Sequence, residues 1–162
     1  ARRWKMELHE VLSKSRLFAG LSQAELESVV KLCIEKEYPP QAMVFDEGET
    51  AKQVYLLEQG RVALEMKVPS GFSSGHRRAT VDIASEGDVF GWSALVEPYT
   101  YTLSAICLEK VKAIALDAAG LRNLLEQNDR IGHQVSKGLV RIVSSRLTAA
   151  LHLLIGERVW PG

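Results

Sequence analysis

Apolar positions change their period twice along this chain. Between residues 4 and 12 they recur weakly at helical spacing, and Ser22 followed by Glu25 forms a capping-box pattern that predicts a helix over 23–33. From residue 34 the period shortens. Segments 34–38, 42–45, 53–58, 61–68, 77–84, 102–108 and 111–116 are short, many alternating or β-branched, and divided by Gly, Pro or charged turns. Strands at such regular spacing predict a jelly-roll-like β-sandwich, mainly β with flanking helices. Residues 69–75, Pro-Ser-Gly-Phe-Ser-Ser-Gly, read as a mobile hairpin tip.

The helical period returns in the last third. Asp117 is placed to cap a helix over 118–127, Asn128 to cap or break it, and 130–155 then runs without proline, with Gly132 and Gly138 as weak points. Val135, Leu139 and Ile142 form one apolar edge of this helix. Val140, Val143, Leu147, Ala150 and Leu154 form another, with coiled-coil a/d alternation. Two edges call for two partners, the β-domain and a second copy of the chain; the alternative is one wide stripe buried within the monomer. A helix of about 25 residues spans about 37 Å, more than a small sandwich covers, so a homodimer is expected. The organisation is one domain, with helices and β-roll over 1–128 and a dimerisation helix over 129–157.

Composition narrows the function classes. The 162 residues are 46% apolar and 25% charged, ordinary usage for one globular domain. Lys plus Arg equals Asp plus Glu at 20 each, so no global basic field exists and nucleic-acid binding through this chain alone is not expected. Charge is uneven, however: residues 25–50 carry seven acids against Lys31 and Lys36, a solvated face or a docking face for a basic partner. Cys33, at a predicted helix end, and Cys107, on a predicted strand, read as buried free thiols in a reducing compartment. The N-terminus has no signal-peptide pattern and no apolar run of about 18 residues occurs, so a cytoplasmic location without membrane contact is expected. The nucleophile-elbow, P-loop and zincin motifs are missing, and no enzyme activity, metal or cofactor is expected. His9, His76, His133 and His152 are scattered, and His133 suits a surface or capping role better than a ligand role.

The densest chemistry lies at 87–102, Gly-Asp-Val-Phe-Gly-Trp-Ser-Ala-Leu-Val-Glu-Pro-Tyr-Thr-Tyr-Thr. Two glycines bracket a turn, and 93–96 can form one helical turn before Pro98, leaving backbone N–H groups free for an anion. The order Phe90-Gly91, Ala94-Leu95, Pro98 and Thr102 resembles the phosphate-binding cassette of the cyclic-nucleotide-binding domain family, the sensor fold of catabolite-activator and FNR-type regulators. The resemblance extends over about residues 15–157, through Leu17-Phe18-Ala19-Gly20-Leu21-Ser22 and the turn glycines Gly48 and Gly60. It implies a β-roll, a two-fold dimer through the C-terminal helix, and a ligand site at Phe90, Gly91, Trp92, Ser93, Ala94, Tyr99 and Thr100. The family's ribose-binding glutamate falls on Trp92 and its phosphate-binding arginine on Tyr99. The cassette is degenerate in both polar anchors.

Three ligand readings stay open: a neutral or planar molecule against Trp92, a weak anion on the amides, or a site filled as core by Trp92 and a tyrosine. His76, Arg77 and Arg78 offer a replacement charge, although an exposed strand pair is the commoner role for such residues. The expected function is a regulatory domain sensing a small molecule other than cAMP or cGMP and signalling through its C-terminal helix. The alternatives are a ligand-free dimerisation scaffold and a weak cyclic-nucleotide binder. The family's helix-turn-helix has no counterpart within the 162 residues, so the chain is either a stand-alone sensor or the sensor half of a longer protein.

Overall fold

The computed structural model describes residues 2–69, 71 and 75–159, with backbone only for 2, 76 and 157–159. Two helices, α1 (Arg2–Lys14) and α2 (Gln23–Val30), precede eight strands: β1 (Cys33–Tyr38), β2 (Met43–Phe45), β3 (Gln53–Gln59), β4 (Val62–Pro69), β5 (His76–Ala84), β6 (Val89–Phe90), β7 (Ser104–Cys107) and β8 (Val111–Asp117). Helices α3 (Ala118–Gln127) and α4 (Asp129–Val159) complete the chain. The strands form two four-stranded antiparallel sheets, ordered β1-β8-β3-β6 and β2-β7-β4-β5, the expected β-roll.

Local chemistry explains the helix ends. The Ser22 side chain accepts from the Glu25 amide while Glu25 accepts from the Ser22 amide, a complete capping box. Asp117 caps α3 through the Gly120 amide, and the Asn128 carboxamide accepts from Ile131 at the start of α4. One expectation needs correcting: α2 ends at Val30 rather than 33, and Cys33 is the first residue of β1. Its buried thiol is pushed up to about 12 by desolvation, and that of Cys107 to about 11. Strand β6 was also missed, because two residues are too short to show a period. The expected hairpin tip falls largely outside the described residues, as does the His76 side chain.

The core runs from helices to roll without a break. Leu8 and Leu12 of α1, Leu26 and Val29 of α2, Val54, Leu56 and Leu57 of β3, and Ile131, Val135 and Ile142 of α4 all belong to one buried cluster. Gly138, expected to weaken α4, serves instead as its closest approach to the domain: a Cβ there would lie 2.4 Å from the Arg16 carbonyl oxygen. Gly132 stands likewise against the Leu125 carbonyl. Beyond this anchor, Val140, Val143, Leu147 and Leu154 are exposed, and Leu151 joins them. The helix over Asp129–Gly156 is long and apolar enough to cross a membrane by length and composition, an 18-residue stretch of it reaching a mean hydropathy of 1.4. Arg141 and Arg146 interrupt its apolar run, which hides it in the sequence. Its inner face nevertheless packs on the rest of the domain.

Much of the acidic segment is neutralised internally. Glu25 pairs with Arg130 at 3.1 Å, Glu35 with Lys112 at 2.8 Å, and Glu27 lies 2.9 Å from the His9 ring. Asp46 goes further and joins all four strands of the second sheet. It follows β2, accepts from Ser104 of β7 at 2.6 Å, and pairs with Lys67 of β4 at 3.0 Å and Arg78 of β5 at 3.4 Å. The Ser104 hydroxyl first, then Lys67, hold its carboxyl down to about 2. A folded value below the unfolded one, about 3.9, gives stability that is complete above that value and lost as pH falls through about 2. Asp46→Asn is expected to cost about 1–2 kcal/mol at pH 7, discounted because the carboxylate is 27% exposed, or roughly 2–8 °C in melting temperature. Thermal melts of both proteins between pH 7 and pH 2 check this: the gap should narrow below pH 4, and a pH-independent gap contradicts it.

Candidate functional site

The cassette forms where β6 leaves the first sheet. Gly91 follows in left-handed backbone, with φ of 71°, and Trp92–Leu95 make a single 3-10 turn. Beneath Gly91 lie four aromatic rings. Tyr101 stacks on Phe45 with centroids 3.7 Å apart, and Tyr55 stacks on Phe90 at 5.1 Å. A Cβ on Gly91 would meet Phe45, Tyr55 and Tyr101 at 3.2–3.3 Å, so both the backbone and the packing require glycine. The Tyr101 hydroxyl donates to the Gln53 carbonyl at 2.7 Å and that of Tyr55 to the Gln53 side chain at 3.0 Å, which keeps these buried polar atoms paired.

The site residues expected from the sequence separate into distinct environments. Phe90 and Ala94 are buried core. The Ala94 amide donates to the Gly91 carbonyl, so one amide of the turn is already engaged. Ser93 is half-buried and its carbonyl accepts from Val96. Thr100 forms a β-bridge with Thr50. Tyr99, at a φ of 58°, lies under the guanidinium of Arg122, 4.0 Å from ring centroid to Cζ, and Arg122 also donates to the Ala94 carbonyl at 2.7 Å. Sequence reasoning missed Arg122, a single arginine among the polar positions of α3. Of the cations considered as replacements, Arg78 is engaged with Asp46. His133 is exposed on α4, and among the described residues no His, Cys, Asp or Glu cluster could hold a metal.

Trp92 alone of the expected cassette residues lines the cavity that separates the roll from α4, a space of about 200 Å³. The roll supplies Leu64, Val81 and Asp82, and the segment after the cassette supplies Leu103. Helix α4 supplies Arg146, Ala149, Ala150 and Leu153. Ala150, expected at the outward seam, also lines this cavity, at helical spacing from both Arg146 and Leu153, and is exposed in the single chain. The cavity has one ion pair, between Asp82 and Arg146, and Asp82 also accepts from its neighbour's amide, that of Ile83, at 2.8 Å. Burial first, and the nearby Arg16 guanidinium second, lower the proton affinity of Arg146, which remains charged as arginines do. The legible signal for it was a charge within an otherwise apolar row, Val135, Leu139, Ile142, Arg146, Ala149, Leu153.

Comparison with known proteins places this geometry. The sequence profile of the cyclic nucleotide-binding domain matches residues 35–128. A CRP-like cAMP-activated global transcriptional regulator of Mycobacterium tuberculosis (strain H37Rv) is 26% identical over 140 residues, which cover 86% of this chain and 58% of the regulator. The chain thus spans little more than half the length of that relative. A solved structure from Geobacter metallireducens GS-15, named for cyclic nucleotide binding, is 29% identical with a TM-score of 0.71, covering 90% of this chain and 96% of its own. The sensor domain of the transcriptional regulator DNR from Pseudomonas aeruginosa shares the fold, with a TM-score of 0.73 at 18% identity over 93% of this chain and 95% of its own.

The Arg122 contacts make the cassette's shape depend on α3. Arg122→Met keeps the length of the side chain but removes the cation from Tyr99 and the donor from the Ala94 carbonyl. The expected loss is about 1.5–3 kcal/mol, seen as a fall of roughly 3–12 °C in melting temperature, with amide exchange quickened first in residues 94–99. Unchanged exchange in that segment counts against the role.

Proposed function

The chain belongs to the cyclic nucleotide-binding domain family, and we propose that it is a regulatory sensor domain whose ligand is a small molecule other than cAMP or cGMP, held between the β-roll and α4. The observation that carries this reading is Trp92: where the resemblance expects a ribose-binding glutamate, an indole lines an apolar cavity of about 200 Å³. Its volume lies below the roughly 300 Å³ at which sites for larger organic ligands begin. Tyr99 replaces the phosphate-binding arginine and is turned to Arg122. Loss of an arginine–phosphate fork removes about 1.5–3 kcal/mol, a factor of roughly ten to a hundred in affinity.

Signalling follows from where the walls of the cavity come from. A ligand touching both the roll and α4 favours whichever spacing of the two fits it, and only that difference in affinity shifts the helix. Helix α4 presents Val140, Val143, Leu147 and Leu154 outward, with exposures between 38% and 67%, and a second copy related by a two-fold axis is the partner that this stripe suits. In this reading the chain acts in the cytoplasm as a homodimer, catalyses no reaction and leaves any binding of nucleic acid to other segments. A ligand-free scaffold is the second reading. It is favoured by the aromatic stack that fills the roll beneath Gly91.

Calorimetry at low salt is expected to give dissociation constants for cAMP and cGMP no tighter than about 100 µM. Low-micromolar binding of either nucleotide overturns the proposal. Sedimentation is expected to show a dimer for the unaltered chain and a monomer for Leu147→Glu, since a charge enclosed opposite its own copy costs several kcal/mol. Leu147 is 59% exposed in the single chain, so the variant should keep its melting transition. A monomeric parent protein refutes the dimer.

A further inference from the structure

From the same cavity, and resting on the reading of it as a ligand site, we infer the ligand's class: a small apolar monocarboxylate, its body against Trp92 and its carboxylate on Arg146. The ion pair that lines the cavity is asymmetric. The Arg146 side chain is 25% exposed and the Asp82 side chain 38% exposed. Arg146 reaches its position from within the apolar row of α4, with Ile142 buried one turn before it and Ala149 and Leu153 on the cavity wall beyond. A guanidinium cannot shed its charge, so this enclosed cation requires an anion at all times. Asp82 has an alternative: it is the more open partner, it keeps the Ile83 amide at 2.8 Å, and it can return to water.

A ligand carboxylate offers two oxygens in the geometry a guanidinium fork accepts, and it arrives joined to an apolar body that fills the space beside Leu64, Trp92, Leu103 and Leu153. Exchange of one carboxylate for another conserves the charge around Arg146, while the apolar body adds burial that Asp82 cannot supply. The neighbouring charges also favour a monoanion. Arg16, Asp82, Asp88 and Arg146 line one adjoining space, so two cations already face two carboxylates. A monoanion that releases Asp82 to water preserves that balance, whereas a dianion such as a phosphate monoester adds uncompensated negative charge. Arg16 also donates to Ser145 at 3.2 Å. Neutral planar ligands fit the walls but leave the Arg146–Asp82 pair untouched, and so gain nothing from it.

Trp92 reports on the cavity directly. In the full chain carrying Trp4→Phe and Trp160→Phe, it is the remaining tryptophan, and its fluorescence can be titrated with matched acids and amides: benzoate and benzamide, phenylacetate and phenylacetamide, 4-methylpentanoate and its amide. At least one acid is expected to bind about tenfold or more tightly than its amide. Arg146→Gln should abolish that preference, and Asp82→Asn should tighten the acid by removing its competitor. Circular dichroism of each variant checks that it is folded, and the Arg146→Lys protein, which keeps the charge without the fork, should retain part of the preference. An acid preference absent from every pair, or one unaffected by Arg146→Gln, overturns the inference. Amides that bind as well as acids leave the sensor reading standing while refuting the carboxylate; cAMP displacing the fluorescence change at low-micromolar concentration refutes the sensor reading itself.

Discussion

The contact of Gly138 with the chain at Arg16 and Leu17 governs the geometry of everything C-terminal to it. A side chain at that point would sit 2.4 Å from one carbonyl oxygen and 2.9 Å from the next, so α4 lies against the domain only because no Cβ is present. Ile131 and Val135 before the contact, and Ile142 after it, are then buried. Past Ile142 the cavity lies between the helix and the roll. There α4 is tied back by polar contacts, Arg146 pairing with Asp82 and Ser145 accepting from Arg16, rather than by close packing.

Positive charge reaches the cassette and the cavity from the helices. The resemblance places an arginine inside the cassette, yet the cassette's own position holds Tyr99, and two arginines approach from helices instead. Arg122 of α3 braces the turn from outside, through the Tyr99 ring and the Ala94 carbonyl. Arg146 of α4 occupies the cavity wall opposite Trp92. The first braces the turn; the second would, on the proposed reading, make the helix part of the site. A cation carried on α4 would then couple occupancy to helix position more directly than one fixed in the roll.

The strands, the capping box, the cassette turn and the extent of α4 could be read from the chain because each depends on local chemistry: alternation, Ser22 with Glu25, Gly91 before a short apolar turn. What could not be read depends on contacts far apart in sequence. Cys33 was misplaced because α2 and β1 are both apolar there, and only the register with Leu116 shows where the strand begins. The aromatic stack needs Phe45, Tyr55, Phe90 and Tyr101 brought together from four segments. Ala150 is small enough to suit either side of α4, and heptad spacing gives no sign that it also lines the cavity, which only the packing of α4 on the roll shows.

The position of Ala150 on the cavity bears on the proposed sensing. The roll-facing row of Arg146, Ala149, Ala150 and Leu153 and the outward row of Val143, Leu147 and Leu154 are carried by the same two turns or so of helix, with about 100° of rotation per residue separating neighbours. On the proposed reading, small side chains at 149 and 150 would let the helix sit closer to the roll with the cavity empty than with it filled. Such a movement would carry the outward row with it, since both rows belong to one helix. The exposed leucines would then pass the state of the cavity to a partner packed on them, through one element rather than through a chain of rearranged contacts.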